Sequence, residues 1–337
     1  MNDISIPIPL LNAALAPAKD QGYQVDQWLI QASIPPVILQ QPNARISAAQ
    51  YSHMQSLAIR AMNDELMGFS QSPQRVGTSQ ALCHWLVTTK NLAQALARIN
   101  QFYDLLGQGF RVSYSTSASH ASLKFAPVVS DEIIAPFAYE HFMFAHHRVL
   151  TWLTSHDVPV QAVHLNYSRP THGSDYRFMF PPAEIQFDRV QSFCELLFDR
   201  SLLSLPIKQG QEDLLLFLRR PLFNILMNAY SEQSWTARTR TALQSLLYTR
   251  PNLEAVAEHL DIHPKRLRRR LKNEGIEYQD LKDQLRRDIA INALTQSGES
   301  IEGIAELTGF AETSTFTRSF KRWTGVTPYT YRRKVGG

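Results

Sequence analysis

The sequence predicts an α+β N-terminal domain followed by an all-α C-terminal domain with two helix-turn-helix motifs joined by a central helix. Three observations carry this. Helical and strand-like patterns mix over the first two hundred residues, only helical patterning follows Gln211, and the positive charge gathers at the C-terminal end. At 337 residues, with 44% hydrophobic and 19% charged content, the composition is that of a folded globular protein rather than a disordered one.

Taken in order, the apolar stretch from Ile4 to Leu15 is short, lacks a basic leader and is interrupted by Pro7 and Pro9. It reads as neither signal peptide nor membrane span. Apolar residues at three- and four-residue spacing predict helices over Ala48 to Leu66, Leu92 to Leu106 and the aromatic-rich Ile133 to Leu153. Alternation at Phe110-Arg-Val-Ser-Tyr-Ser and Ala121-Ser-Leu-Lys-Phe-Ala, across a small polar turn, predicts a hairpin. Val160 to Tyr167 and Glu184 to Phe187 read as further strands, and Leu205-Pro-Ile-Lys-Gln-Gly210 as a domain edge. The expected division is therefore 1–205, a helical linker at 206–234, and 235–337. Asp213 to Ala229, broken near Pro221, suits a linker helix, a dimer contact or core packing.

From Trp235 to Lys334 there are 18 Lys and Arg against 12 Asp and Glu, whereas the rest of the chain has 16 basic and 18 acidic residues. A basic domain joined to a slightly acidic one suggests a reader of a polyanion attached to something with another task. Within the basic part, Leu253-Glu-Ala-Val-Ala-Glu-His-Leu predicts a short amphipathic helix and Asp261-Ile-His263-Pro264 a turn. Lys265-Arg-Leu-Arg-Arg-Arg-Leu-Lys-Asn-Glu-Gly275 then predicts a second helix ended by glycine. Leu267 and Leu271 face inward, which turns Lys265, Arg268 and Arg269, with Arg266 beside them, toward a major groove. The plan repeats after Ser300, a helix cap, with Gly309 at a turn that calls for positive φ. Phe316, Phe320 and Trp323 are expected inside, Thr313, Ser314, Thr317 and Arg318 toward bases, and Lys321 and Arg322 toward phosphates. Between the motifs, Tyr278 to Leu294 forms an amphipathic helix with Leu281, Leu285, Ile289 and Leu294 on its apolar face. It should hold the two readers apart so that they enter successive major grooves, about 34 Å apart along one face of the duplex.

Gly309-Phe310, then Phe316-x-Arg318-x-Phe320-Lys321-x-Trp323-x-Gly325-Val-x-Pro328-x-x-Tyr331-Arg332, preceded by Leu267-x-Arg-Arg-x-Leu271-Lys-x-Glu274-Gly275, resembles the DNA-binding domain of the AraC/XylS family of bacterial transcriptional regulators. The resemblance covers about Trp235 to Lys334 and implies the same base-facing set. His263 stands where that family usually places Ser, and Arg268 to Arg270 is a denser basic run than usual. More loosely, residues 10 to 200 resemble the effector-sensing domain of the branch classed with arabinose-binding regulatory domains. That likeness rests on Gly22-Tyr-x-x-Asp26, Asn43-Ala-Arg45-Ile46, Ile185-Gln-Phe187-Asp188 and Leu196-x-Phe198-Asp199. It implies a small-molecule sensor with dimerising capacity, and its label does not make the ligand arabinose. Promoter double-stranded DNA, a small-molecule effector, RNA polymerase and a second copy are the expected partners. No membrane partner and no cofactor is expected.

Other readings weigh less. His141, His146 and His147 share one predicted helix, but their spacing gives no i, i+4 metal face. Phe137, Tyr139, Phe142 and Phe144 surround that helix, as in a buried helix or part of an apolar ligand pocket. Cys83 and Cys194 are isolated, which fits buried small hydrophobes and a reducing cytoplasm. A fused enzyme lacks a zinc-activated cysteine set, nucleophile elbow or phosphate loop, and a purely architectural DNA binder would not need the α+β part. For the effector, the aromatic helix with Arg and His around it suggests an apolar-tailed carboxylate such as a fatty acid. An amino acid or a sugar stays open.

Overall fold

The computed structural model describes residues 5–42, 44–129, 132–170, 179–180, 183–227, 235–274, 276–296 and 298–335. Asn43, Ala229, the linker residues 228–234 and the helix-ending Gly275 lie outside these.

The chain forms two compact units, residues 58–231 and residues 1–57 with 232–337. This departs from the expected division at 205 and 235. The first 57 residues group with the helical C-terminal part, because their partners are side chains nearly three hundred positions away that local periodicity does not register.

In the unit 58–231, five strands run in the order β3-β4-β7-β5-β6. They are β3 (Phe110–Thr116), β4 (His120–Pro127), β5 (Val160–His164), β6 (Glu184–Gln186) and β7 (Cys194–Asp199). The β3–β4 hairpin forms in register, Val112 facing Phe125. β7, which sequence alternation did not pick out, is the central strand, antiparallel to both β4 and β5. Its run Cys-Glu-Leu-Leu-Phe-Asp is too apolar to alternate, as befits a strand with Glu195, Leu196 and Phe198 all buried.

Helices α4 (Thr78–Leu86), α5 (Leu92–Leu106) and α6 (Pro136–Thr154) complete the layer. α5 has the predicted bounds because Asn91 caps it, accepting from the Gln94 N–H, and Gly107 closes it at φ 59°. α6 buries 16 of its 19 residues, so it is the centre of the core rather than an amphipathic surface helix. Phe142 stacks on Phe110 at 4.5 Å and meets Phe125 edge-on at 5.8 Å, tying helix to sheet. Phe137, Tyr139 and Phe144 are buried as well. The segment expected to be a linker is two helices, α7 (Gln211–Leu218) and α8 (Pro221–Met227). Leu214 and Phe217 are buried in this same core, with Phe217 stacked on Trp152 at 4.4 Å, so α7 packs as core. Cys83 and Cys194 are buried, and burial pushes both thiols up to about 12, away from the reactive thiolate.

In the other unit, β1 (Ser5–Pro7) pairs antiparallel with β2 (Arg45–Ser47). α1 (Ile8–Asp20) places Pro9 in its first turn, where a missing N–H costs nothing. α2 (Val25–Gln31) follows, and α3 (Ala48–Met62) begins in this unit and ends with residues 58–62 of the other. α3 stops short of the predicted Leu66 because Asn63 turns left-handed at φ 50°. The helices of the C-terminal part are α9 (Trp235–Leu246), α10 (Leu253–His259), α11 (Pro264–Asn273), α12 (Tyr278–Gln296), α13 (Ile301–Leu307), α14 (Thr313–Thr324) and α15 (Pro328–Val335). Among the described residues no helix is long and apolar enough to cross a membrane.

His146 and His147 are buried on α6. His146 Nδ1 donates to the Phe142 carbonyl and His147 Nε2 to that of Val158, each at 2.7 Å. The opposite ring nitrogens have no hydrogen-bond partner among the described residues. Burial first, and for His147 the neighbouring Arg148 charge, holds the two rings down to about 4 and about 3. Both are therefore neutral in the folded chain, and the unfolded chain takes up protons first as pH falls below about 6.5. Stability should be fully present above pH 6.5 and lost as pH falls toward 4, by up to about 1.4 kcal/mol per pH unit for each ring. Urea unfolding at stepped pH checks this, and His146→Phe should flatten the slope.

Candidate nucleic-acid interface

Both helix-turn-helix motifs form as the sequence predicts. In the first, Asn252 caps α10 through the Ala255 N–H, and Asp261 makes the turn at φ 51°. His263 then caps α11, its Nδ1 accepting from the Lys265 N–H at 3.3 Å. An imidazole lone pair does the work of the usual hydroxyl. Leu267 and Leu271 are fully buried, and Lys265, Arg266, Arg268 and Arg269 are all exposed.

The basic run is not uniform. Arg270 turns inward, its guanidinium 5.8 Å from the Trp235 ring, which Arg238 covers at 4.2 Å. Glu274, one of the family-like positions, accepts from the backbone N–H groups of both Trp235 and Thr236 at 2.7 Å. It thus binds the N-terminus of α9, where a carboxylate is favoured by the free N–H groups and the helix dipole.

In the second motif Ser300 caps α13 through the Gly303 N–H. Gly309 has φ 72°, and a Cβ there would stand 2.8 Å from the Leu247 carbonyl oxygen, so both backbone conformation and space require glycine. Phe316 and Phe320 are completely buried and Trp323 nearly so. On the other side of α14, Ser314, Arg318, Lys321 and Arg322 are exposed, with Thr313 and Thr317 half-buried. Arg318 lies over its own helix, Nη2 at 3.4 Å from Thr315 Oγ1. Arg322 pairs with Asp283 of α12 at 3.0 Å.

α12 joins the motifs through polar contacts that helical periodicity did not single out. Tyr278 and Lys282 donate to the Pro251 carbonyl just ahead of α10. Arg286 donates to the Gly309 carbonyl at 2.9 Å and lies over the Phe310 ring at 4.5 Å, at the turn of the second motif. Two residues on, Asp288 is sealed between Arg287, at 2.9 Å, and Arg240 of α9, at 3.1 Å, all three nearly inaccessible to water. Burial pushes the Asp288 carboxyl up, and the two guanidiniums pull it back. Leu281, Leu285 and Leu294 are buried as expected, and Ile289 is half-buried.

Two helices with solvent-facing cations, each the second of a helix-turn-helix and each braced by one central helix, define the class of helix-turn-helix DNA-binding proteins. Residues 256–334 match the family model described as a helix-turn-helix domain, and residues 22–207 match that of the arabinose-binding domain of AraC transcription regulators, N-terminal. The chain belongs to the AraC family of DNA-binding transcriptional regulators. It is 24% identical over 329 residues to the ornithine utilization regulator of Pseudomonas aeruginosa, covering 97% of this chain and 96% of that one. It is 45% identical over 83 residues to the transcriptional regulator VirS of Mycobacterium tuberculosis, 25% of this chain and 24% of that one. Among solved structures it is similar to the transcriptional regulator CdpR of Pseudomonas aeruginosa, 20% identical across 92% of this chain and 96% of that one, with a TM-score of 0.33.

Two substitutions probe the frame. Asp288→Asn leaves two buried cations without their carboxylate and should cost about 3–5 kcal/mol of unfolding free energy in urea. Gly309→Ala should cost at least about 1–2 kcal/mol from the left-handed backbone alone, with a further loss from the Leu247 carbonyl. A thermal melt close to that of the parent chain would contradict either.

Proposed function

We propose that Lys265, Arg266, Arg268 and Arg269 of α11 and Thr313, Ser314, Thr317 and Arg318 of α14 contact promoter double-stranded DNA, and that Lys321 and Arg322 hold phosphates. The observation that supports this most directly is the segregation on each helix. The aliphatic or aromatic face is buried, while the named cations and Ser314 face solvent, with Thr313 and Thr317 half-buried beside them, on the side by which a recognition helix enters a major groove. The N-terminal part, residues 1–205, serves as sensor of a small-molecule effector. Effector binding changes how a homodimer presents its readers, altering promoter affinity or contact with RNA polymerase. A coupling of about 1–3 kcal/mol suffices for a roughly 5–150-fold change. An apolar-tailed carboxylate suits the aromatic layer of Phe110, Phe125 and Phe142 around α6. Thermal-shift screening of the full chain tests that class, and stabilisation by polar metabolites alone would sink it.

Selection from a random duplex library at near-physiological salt tests the reader. Two short elements about one helical turn apart are expected. Arg318→Ala should then lose about 1–3 kcal/mol of discrimination at one base pair. Arg268→Ala and Arg269→Ala should each alter affinity for the first element or reduce the salt slope by about one, while Arg270→Ala, turned onto Trp235, should do neither.

A further inference from the structure

We propose that Gln50, far from the readers in sequence, is a positioning residue of the second one and holds α14 in place through Tyr331. The proposal rests on the reading of α14 as a DNA reader. Gln50 sits in the first turn of α3, where its Oε1 accepts from the Ser47 N–H and Ser47 Oγ accepts from the Gln50 N–H, both at 3.1 Å. This reciprocal capping box fixes the side-chain carbonyl and so aims the amide nitrogen. That nitrogen donates to the Ser33 carbonyl at 2.5 Å and to the Tyr331 hydroxyl at 2.6 Å, and the hydroxyl donates on to Ser33 at 3.3 Å. Gln50 and Tyr331 are both buried, Tyr331 completely, so neither can exchange these bonds for water.

The network ends on the reader. The Tyr331 ring meets Phe320 of α14 edge-on at 5.5 Å, and Phe320 is the core residue directly before Lys321. At the closing turn of α14, Gly325 is left-handed at φ 77°, and Gln41 of the same N-terminal segment lies 2.9 Å from where a Cβ would stand. The segment before residue 57 therefore touches α14 at its last turn and, through Tyr331, at its core face. Nothing comparable from this segment reaches α11 among the described contacts. The second reader is set by residues that belong, in sequence, to the opposite end of the chain.

The test compares the full chain with Gln50→Met, Tyr331→Phe and the double variant. Tyr331→Phe keeps the ring on Phe320 and removes only the hydroxyl. The probes are a duplex selected by the parent chain and two copies of it, each with one element scrambled. The element assigned to α14 is the one at which Arg318→Ala loses discrimination. Each single variant should bind the intact duplex about 5–10-fold more weakly and the copy lacking the α14 element as the parent does, with the double variant no worse than the weaker single. Equal losses on every duplex, or none on any, would overturn the proposal. Hydrogen exchange on the DNA-free chain gives a second readout that does not need an operator. Amides of α14 should exchange faster in Tyr331→Phe while those of α11 do not change, and unaltered α14 exchange would reject the assignment even if the parent chain selected no sequence.

Discussion

Two guanidiniums and one carboxylate, closed off from water, decide where the central helix lies, and both helix-turn-helix motifs are referred to that helix. Asp288 accepts from Arg287 on its own helix and from Arg240 on α9, so α12 cannot rotate or slide against α9 without stranding a buried charge. The same helix uses successive turns outward from this point. Tyr278 and Lys282 hold the chain entering the first motif, Asp283 holds Arg322, and Arg286 holds the turn of the second. An apolar seam of equal volume would stabilise the helix as well, but its register would be looser. Directional bonds at four positions tie both motifs to a single frame.

The helix-turn-helix motifs themselves were legible in the sequence because every signal for them is local. Leu267 and Leu271, or Phe316 and Phe320, are one turn apart, and their burial forces the intervening cations and hydroxyls outward. Turn chemistry was local too, with Gly309 in the left-handed conformation that its place between two helices demanded. His263 shows that a cap is a requirement for an acceptor rather than for one residue type. The basic run of α11 was legible only in part. Whether Arg270 faces solvent depends on Trp235, thirty-five positions earlier, and nothing within α11 announces that partner.

What sequence could not give were pairings made at long range. β7 is the hub of its sheet, yet it was not separable as a strand, because burial on both faces erases the alternation by which strands are recognised. The helix predicted over Ile133 to Leu153 was found with its aromatic residues inside, since an all-round apolar pattern already implies burial on all sides. The first 57 residues were assigned with the sensor on the resemblance at Gly22-Tyr-x-x-Asp26 and Asn43-Ala-Arg45-Ile46, and the family model that begins at residue 22 includes most of them, while their contacts group them with the C-terminal part. Their polar anchors, the Ser33 carbonyl and the Gln50 side chain, are groups that composition reads as ordinary loop or surface chemistry.

The discontinuity of that unit also has a temporal side. Gln50 and Tyr331 are separated by 281 positions. On a ribosome adding about 5–20 residues per second, the segment that carries Gln50 emerges roughly 15–55 s before its partner exists. During that interval Leu11, Leu15, Trp28 and Leu29 must be kept from other apolar surfaces by their own short helices and the β1–β2 ribbon. The intervening residues 58–231 can complete their sheet and core in the meantime. The helix-turn-helix unit is thus the last part of the molecule to be finished, and a nascent chain stalled between residue 231 and Tyr331 carries a complete 58–231 unit and an incomplete helix-turn-helix one.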